Sequence, residues 1–210
     1  MFSALLVPKS QCQTTRWSGG TTTQLAIYPP QAQYAQRDFI WRLSSATVED
    51  ETSTFTVLPK YNRIFSIIQG SLTLSHNGRE PFPLAPLELN QFDGGCRTVS
   101  QGRVTDFNLM MAKGLCGGSV QPMELAAGSS TTLHLLCQAR EFPLFTLALY
   151  CATGAVDVEA ALPQPYQAPL AAGDLLLLST KPEPRGEQLK IAFSSAEGSA
   201  VFLCKIHHEG

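Results

Sequence analysis

Charge is scarce in this chain, and none of it is gathered. Lysine and arginine number 15 and aspartate and glutamate 17 among 210 residues, a net charge of −2, with no basic run anywhere. Without such a run there is no electrostatic footprint for a nucleic-acid groove or an anionic membrane surface, and neither is expected as a partner. Long apolar runs are missing too, so no helical membrane span is expected. The opening Met1-Phe2-Ser3-Ala4-Leu5-Leu6-Val7-Pro8 lacks both the basic flank and the apolar length of a signal peptide. A cytoplasmic protein is the expectation. The six cysteines, at positions 12, 96, 116, 137, 151 and 204, form no Cys-x-x-Cys pair. That argues against a zinc ribbon or a disulfide framework and for free thiols in a reducing compartment, with Cys137 and Cys151 reading as core because their runs are apolar.

Several chemistries lack their residues. None of the four histidines sits in a His-x-His pair followed by an acid. His76 precedes the turn dipeptide Asn77-Gly78 and reads as solvent-facing, while His207-His208 beside Glu209 reads as a spot for adventitious metal only. No functional metal and no cofactor are expected. There is no Gly-x-Ser-x-Gly elbow for a nucleophile. Gly19-Gly20 before Thr21-Thr22-Thr23 lacks the lysine and helix of a phosphate loop, and reads as a tight turn that presents hydroxyls. With no histidine or carboxylate pair poised for proton transfer, binding is expected rather than turnover.

What is present is turn chemistry around short apolar runs: 14 prolines and 16 glycines. An all-β chain follows. One pattern occurs twice. An apolar run, Ile64–Gln69, meets Gly70 and resumes at Leu72 and Leu74; Phe145–Ala152 meets Gly154 and resumes at Val156 and Val158. The glycines are 84 residues apart, and the later runs opening at Leu84 and Leu170 are 86 apart. Near-constant spacing implies an internal duplication: two jelly-roll or β-barrel modules, residues 1–113 and 114–210, with the seam at Lys113-Gly114-Leu115-Cys116-Gly117-Gly118. Helical turns are expected after Gln31 and around Gln138–Glu141.

The stretch Phe39–Val48 reads as a strand with Arg42, Ser44 and Ala46 on one face and Trp41, Leu43 and Ser45 on the other. Facing into a barrel, the polar face builds a pocket whose guanidinium grips a carboxylate; facing out, it is merely wet. The run Asp106-Phe107-Asn108-Leu109-Met110 offers a second such face, on which Asp106 accepts and Asn108 both donates and accepts. Arg63 is a second cation, whose alternative fate is a structural salt bridge.

These segments resemble the HutD/Ves family of bacterial proteins. The resemblance rests on Trp17 with Gly19-Gly20 and Thr22 before Leu25 and Tyr28-Pro29; on Phe39-x-Trp41-Arg42-Leu43-Ser44-x-Ala46-x-Val48; on Phe55-Thr56-x-Leu58-Pro59 with Arg63; and on Gly70 and Asp106-Phe107-Asn108-Leu109-Met110. It implies a bicupin, two RmlC-like jelly rolls in tandem, with its polar site in the first half and no metal signature. The site residues implied are Thr22, Gln24, Trp41, Arg42, Ser44, Arg63, Asp106 and Asn108. The implied role is a small-molecule-binding sensor or modulator, of histidine utilisation in one branch and of stress response in the other. Urocanate or a formylated glutamate derivative would be the ligand. A metal-free cupin enzyme, an isomerase or hydrolase with Asp106 as base, and a protein-interaction module are the alternatives. One departure stands out: where the family carries Thr-Arg-Glu after a longer glycine turn, this chain reads Thr22-Thr23-Gln24, without the charged pair.

Overall fold

The computed structural model describes residues 2–138, 141–183 and 186–210. In the first half the strands are β1 (Ser3–Val7), β2 (Gln13–Trp17), β3 (Gly20–Tyr28), β4 (Trp41–Val48), β5 (Thr52–Thr54), β6 (Tyr61–Gly70), β7 (Leu72–His76), β8 (Phe82–Leu84), β9 (Leu89–Asp93), β10 (Thr98–Gln101) and β11 (Val104–Ala112). The second half adds β12 (Cys116–Leu125), β13 (Ser129–Cys137), β14 (Leu144–Ala161), β15 (Tyr166–Ala171), β16 (Leu175–Thr180), β17 (Glu187–Ser195) and β18 (Ser199–His208). Among the described residues the only helical pieces are 3₁₀ turns at Lys9–Gln11 and Tyr34–Gln36. The second of these is the turn expected after Gln31. For Gln138–Glu141, residues 139–140 fall outside the described residues. No helix among the described residues is long and apolar enough to cross a membrane.

Among the described residues the strands make three sheets, in two compact units, Cys12–Cys116 and Met1–Gln11 with Gly117–Gly210. The division falls inside the glycine-rich seam. The start of the chain is a correction: the first eleven residues go with the second unit, because Ser3–Val7 pairs antiparallel with Leu175–Thr180 as an edge strand. Its Ser-Ala-Leu-Leu-Val sequence has β-branched and apolar side chains suited to that edge.

In the Cys12–Cys116 unit, a six-stranded sheet runs β2-β3-β4-β11-β6-β9 and a four-stranded one runs β5-β10-β7-β8. Asn77 and Gly78, with φ of 54° and 71°, turn β7 toward β8 as the Asn-Gly dipeptide foretells. The strand expected at Phe39–Val48 begins two residues later, at Trp41. In the other unit β14 serves both layers. Its first half pairs with β16 and β18, its second half with β15 and β17.

The repeated pattern has a structural counterpart. Opposite β11, β6 carries an extra residue, Ile68, because the register steps from Gln69↔Thr105 to Ile67↔Asp106. Opposite β18, β14 carries one at Ala152, between Cys151↔Val201 and Thr153↔Ala200. Each bulge is followed two residues later by a glycine of positive φ, Gly70 (90°) and Gly154 (70°). Bulge and glycine together bend the strand into the next layer. A Cβ on Gly154 would lie 2.1 Å from the Gly198 carbonyl oxygen. Gly154→Ala is therefore expected to cost about 2–4 kcal/mol of stability by urea denaturation; a loss of under half a kilocalorie would show that this corner yields freely.

The two interiors differ. In the second unit, Phe145, Leu147, Leu149, Leu176, Leu178, Ile191, Phe193, Val201 and Leu203 belong to one continuous apolar cluster, each almost wholly buried. In the first, Phe65, Ile67, Leu72, Leu74 and Val104 form a smaller cluster. Phe39, Leu58, Tyr61 and Met110 belong to another, and polar side chains are buried in the same unit.

Candidate functional site

Three neighbouring strands of the first unit place the polar residues. β11 lies between β4 and β6, with Met110 opposite Arg42 on one side and Arg63 on the other, Asn108 opposite Ser44 and Phe65, and Asp106 opposite Ala46 and Ile67. Alternation then puts Arg42, Ser44, Arg63, Asp106 and Asn108 on one face. All five are at least nine-tenths buried, and all line a cavity of about 290 Å³ together with Thr22. Six of the eight expected site residues thus meet in one place.

The other two do not. Trp41 points to the opposite face of β4, where it stacks on Tyr28 at 5.7 Å and is 2% exposed. It lies one residue from Arg42, and the period of two sends it away. Gln24 stands behind the lining, and its Oε1 accepts a hydrogen bond from Arg42 Nε at 2.9 Å. It orients the guanidinium without cancelling its charge.

Aromatic rings hold both cations. The Arg42 guanidinium lies 4.3 Å from the centre of the Tyr34 ring, and that of Arg63 lies 4.8 Å from Phe55 and 5.2 Å from Phe92. Among the described residues no carboxylate comes within ion-pair distance of either; the ion pairs there are Arg16–Glu49, Arg103–Glu51 and Lys113–Asp93, all exposed at the surface. The salt-bridge fate weighed for Arg63 is therefore not what the structure shows. Arg63 Nε and Asn108 Oδ1 are buried with no hydrogen-bond partner among the described residues. Burial, only partly offset at Arg63 by the Asp106 carboxyl, pulls both guanidinium groups down to about 10, where they still carry their protons at neutral pH.

Asp106 is the one acid on the lining. Ala46 N–H donates to its Oδ1 at 3.2 Å, and Ser45 Oγ donates to its main-chain oxygen at 2.7 Å. Burial pushes the carboxyl up to about 7, against the pull of that N–H and of Arg63. At the cavity mouth, Trp17 Nε1 donates to Thr22 Oγ1 at 3.1 Å, and its ring packs over Gly19. The tight glycine turn thus holds an indole beside the opening.

Tyr34, Phe55 and Trp17 line the cavity as well. Phe55 and Trp17 were visible only through the family pattern. Tyr34 gave no signal, since it arrives on a 3₁₀ turn outside any periodic segment.

The histidines also depart from expectation. His76 is not solvent-facing: its Nδ1 is 2.8 Å from Thr98 Oγ1, its Nε2 2.9 Å from Asn90 Oδ1, and its ring lies 4.6 Å from Phe92. His208, read with His207 as a spot for adventitious metal, ends β18, 2% exposed, 3.1 Å from Thr146 Oγ1, and burial lowers its pKa. Among the described residues no three His, Cys, Asp or Glu side chains gather as metal ligands do. Cys137 and Cys151 are buried, and burial pushes each thiol up to about 11.

The corresponding positions of the second unit are apolar. Matched through the two bulges, Arg63, Asp106 and Asn108 fall where β14 and β18 carry Leu147, Val201 and Leu203. Those three are fully buried in the apolar cluster.

Known proteins share this architecture. A crystal structure of a conserved protein of unknown function from Pseudomonas aeruginosa is similar with a TM-score of 0.79 and 23% identity, over 98% of this chain and 99% of that one. HutD from Pseudomonas fluorescens matches with a TM-score of 0.72 and 20% identity, over 99% and 100% of the two chains. Oxalate decarboxylase from Bacillus subtilis, at 7% identity and a TM-score of 0.66, covers 97% of this chain and 76% of its own. These likenesses show an all-β, cupin-like fold. No curated protein matches the sequence. The HutD family profile, in contrast, matches residues 9–199, and the chain therefore belongs to the HutD family.

Proposed function

We propose that this chain is a bicupin that binds a small carboxylate in its first unit and acts as a metabolic sensor or modulator, in keeping with the histidine-utilisation link of its family. The observation that carries the reading is the pair of buried guanidinium groups that make no ion pair among the described residues, with Arg63 Nε lacking a hydrogen-bond partner there as well. A buried cation without a counter-charge is costly, and a bound anion is the simplest relief. Asn108 Oδ1, equally unmatched, calls for a donor on the same ligand. Urocanate and N-formylglutamate each join a carboxylate to an N–H, and a cavity of about 290 Å³ suits molecules of that size. A vicilin from Solanum melongena, similar in fold at 10% identity, is described as holding different anionic ligands in structurally similar pockets.

The test is a thermal-shift series with both compounds and with simple carboxylates. A ligand present at a hundred times its dissociation constant should add about 2.7 kcal/mol of stability. Arg42→Ala should remove that response, since Arg42 is the cation that Gln24 and Tyr34 hold in place. No rise with any carboxylate would sink the proposal. A second reading, proton-transfer catalysis, is favoured by one feature: the Asp106 carboxyl near neutrality inside a cavity. Turnover of either compound, lost in Asp106→Asn, would select it.

A further inference from the structure

We propose that Asp106 meets an anionic ligand as a neutral carboxylic acid, so that the cavity takes up one proton with each anion it binds. The inference rests on the carboxylate-binding reading above and adds to it the state of the acid.

The geometry supplies the reason. Asp106 is sealed into the wall between β4 and β6, with one carboxyl oxygen held by Ala46 N–H. The titratable groups lining the cavity with it are few: Arg42 from β4, Arg63 from β6 and Tyr34 from its 3₁₀ turn. From β2, β3 and residues 53–56 come hydroxyls, Trp17 and Phe55, none of them charged. Arg63 is thus the cation that favours ionised Asp106, and it does so unpaired. A carboxylate seated on Arg63 cancels that help. It also displaces water from a small cavity, which removes the solvation an ionised Asp106 would need. Finally, it sets a second negative charge beside the first, and two carboxylates in one dry site do not both ionise. All three effects have the same sign. Charges about 5 Å apart at an effective dielectric of about 20 would hold the proton roughly a hundredfold more tightly in the complex.

Calorimetric titration with formate, acetate and N-formylglutamate tests this, since all three are fully ionised between pH 6.5 and 9. Runs in two buffers of different ionisation heat count the protons exchanged. At pH 8 the wild-type protein should take up close to one proton per anion, and its affinity should fall by up to tenfold per pH unit above pH 7. Asp106→Asn should bind with no uptake and no pH dependence. Should that variant not fold, the wild-type proton count decides alone. Binding without uptake, or with release, overturns the proposal and leaves anion binding intact; no binding of any of the three at any pH overturns both.

Discussion

Arg63→Met should make the ligand-free protein more stable and leave it indifferent to carboxylates. The guanidinium is 5% exposed, lies against Phe55 and Phe92, and makes no ion pair among the described residues. Its pull from 12.5 to about 10 corresponds to a folding cost of about 3 kcal/mol. Two cation–π contacts return about 1–2 kcal/mol of it, and a methionine of similar reach keeps sulfur–aromatic contact with the same rings. A net gain of about 1–3 kcal/mol in urea denaturation is the expected result. The second unit shows that this register position accepts an apolar side chain, because Leu147 occupies it there. Binding changes in the opposite direction. Removing one partner of a buried, hydrogen-bonded charge pair costs about 2–5 kcal/mol, so affinity should fall at least thirtyfold. A variant less stable than wild type without ligand, yet still stabilised by carboxylates, would show that Arg63 serves the fold and not the ligand.

Asp106→Asn should be stabilising as well, but only where the acid is ionised. The folded-state carboxyl lies near 7 against an ordinary 3.8, so between those values the folded protein keeps a proton that the unfolded chain has released. Stability from this group is therefore complete below about pH 4, declines as pH rises, and is fully lost above about pH 7. The loss amounts to about 4 kcal/mol. Asparagine carries no charge to desolvate and keeps an oxygen for Ala46 N–H. The variant should match wild type near pH 4 and exceed it by up to that amount at pH 8, in protein freed of small anions. Parallel stability profiles for the two proteins would mean that water reaches Asp106 and solvates its charge.

Much of this was legible in the chain because β structure writes its burial in a period of two. Arg42, Ser44, Asp106 and Asn108 could be assigned to shared faces from alternation, and the 84-residue spacing from Gly70 to Gly154 marked two strand corners. Alternation also predicts that Trp41 faces away from Arg42, and there the period was a better guide than the family motif containing both. What it could not reveal was which neighbours arrive from distant segments. The Tyr34 ring under Arg42 comes from a 3₁₀ turn, and the hydrogen bonds enclosing His76 come from Asn90 and Thr98. Nor does a strand pattern say which edge a terminal segment will join. Ser3–Val7 looks as fit for the first unit as for the second, until β16 is seen beside it.

That pairing has a consequence for biosynthesis. Ser3 emerges from the ribosome long before Ser179, its cross-strand partner, and at about 5–20 residues per second the interval is on the order of 10–35 s. Once Cys116 is made, the Cys12–Cys116 segment has all its own strands and is free to fold, while Ala4, Leu5 and Leu6 still have no backbone to pair with. A strand made well before its partner is thus placed late, and a chain released before Leu175–Thr180 carries a bare, leucine-rich edge for chaperones to cover.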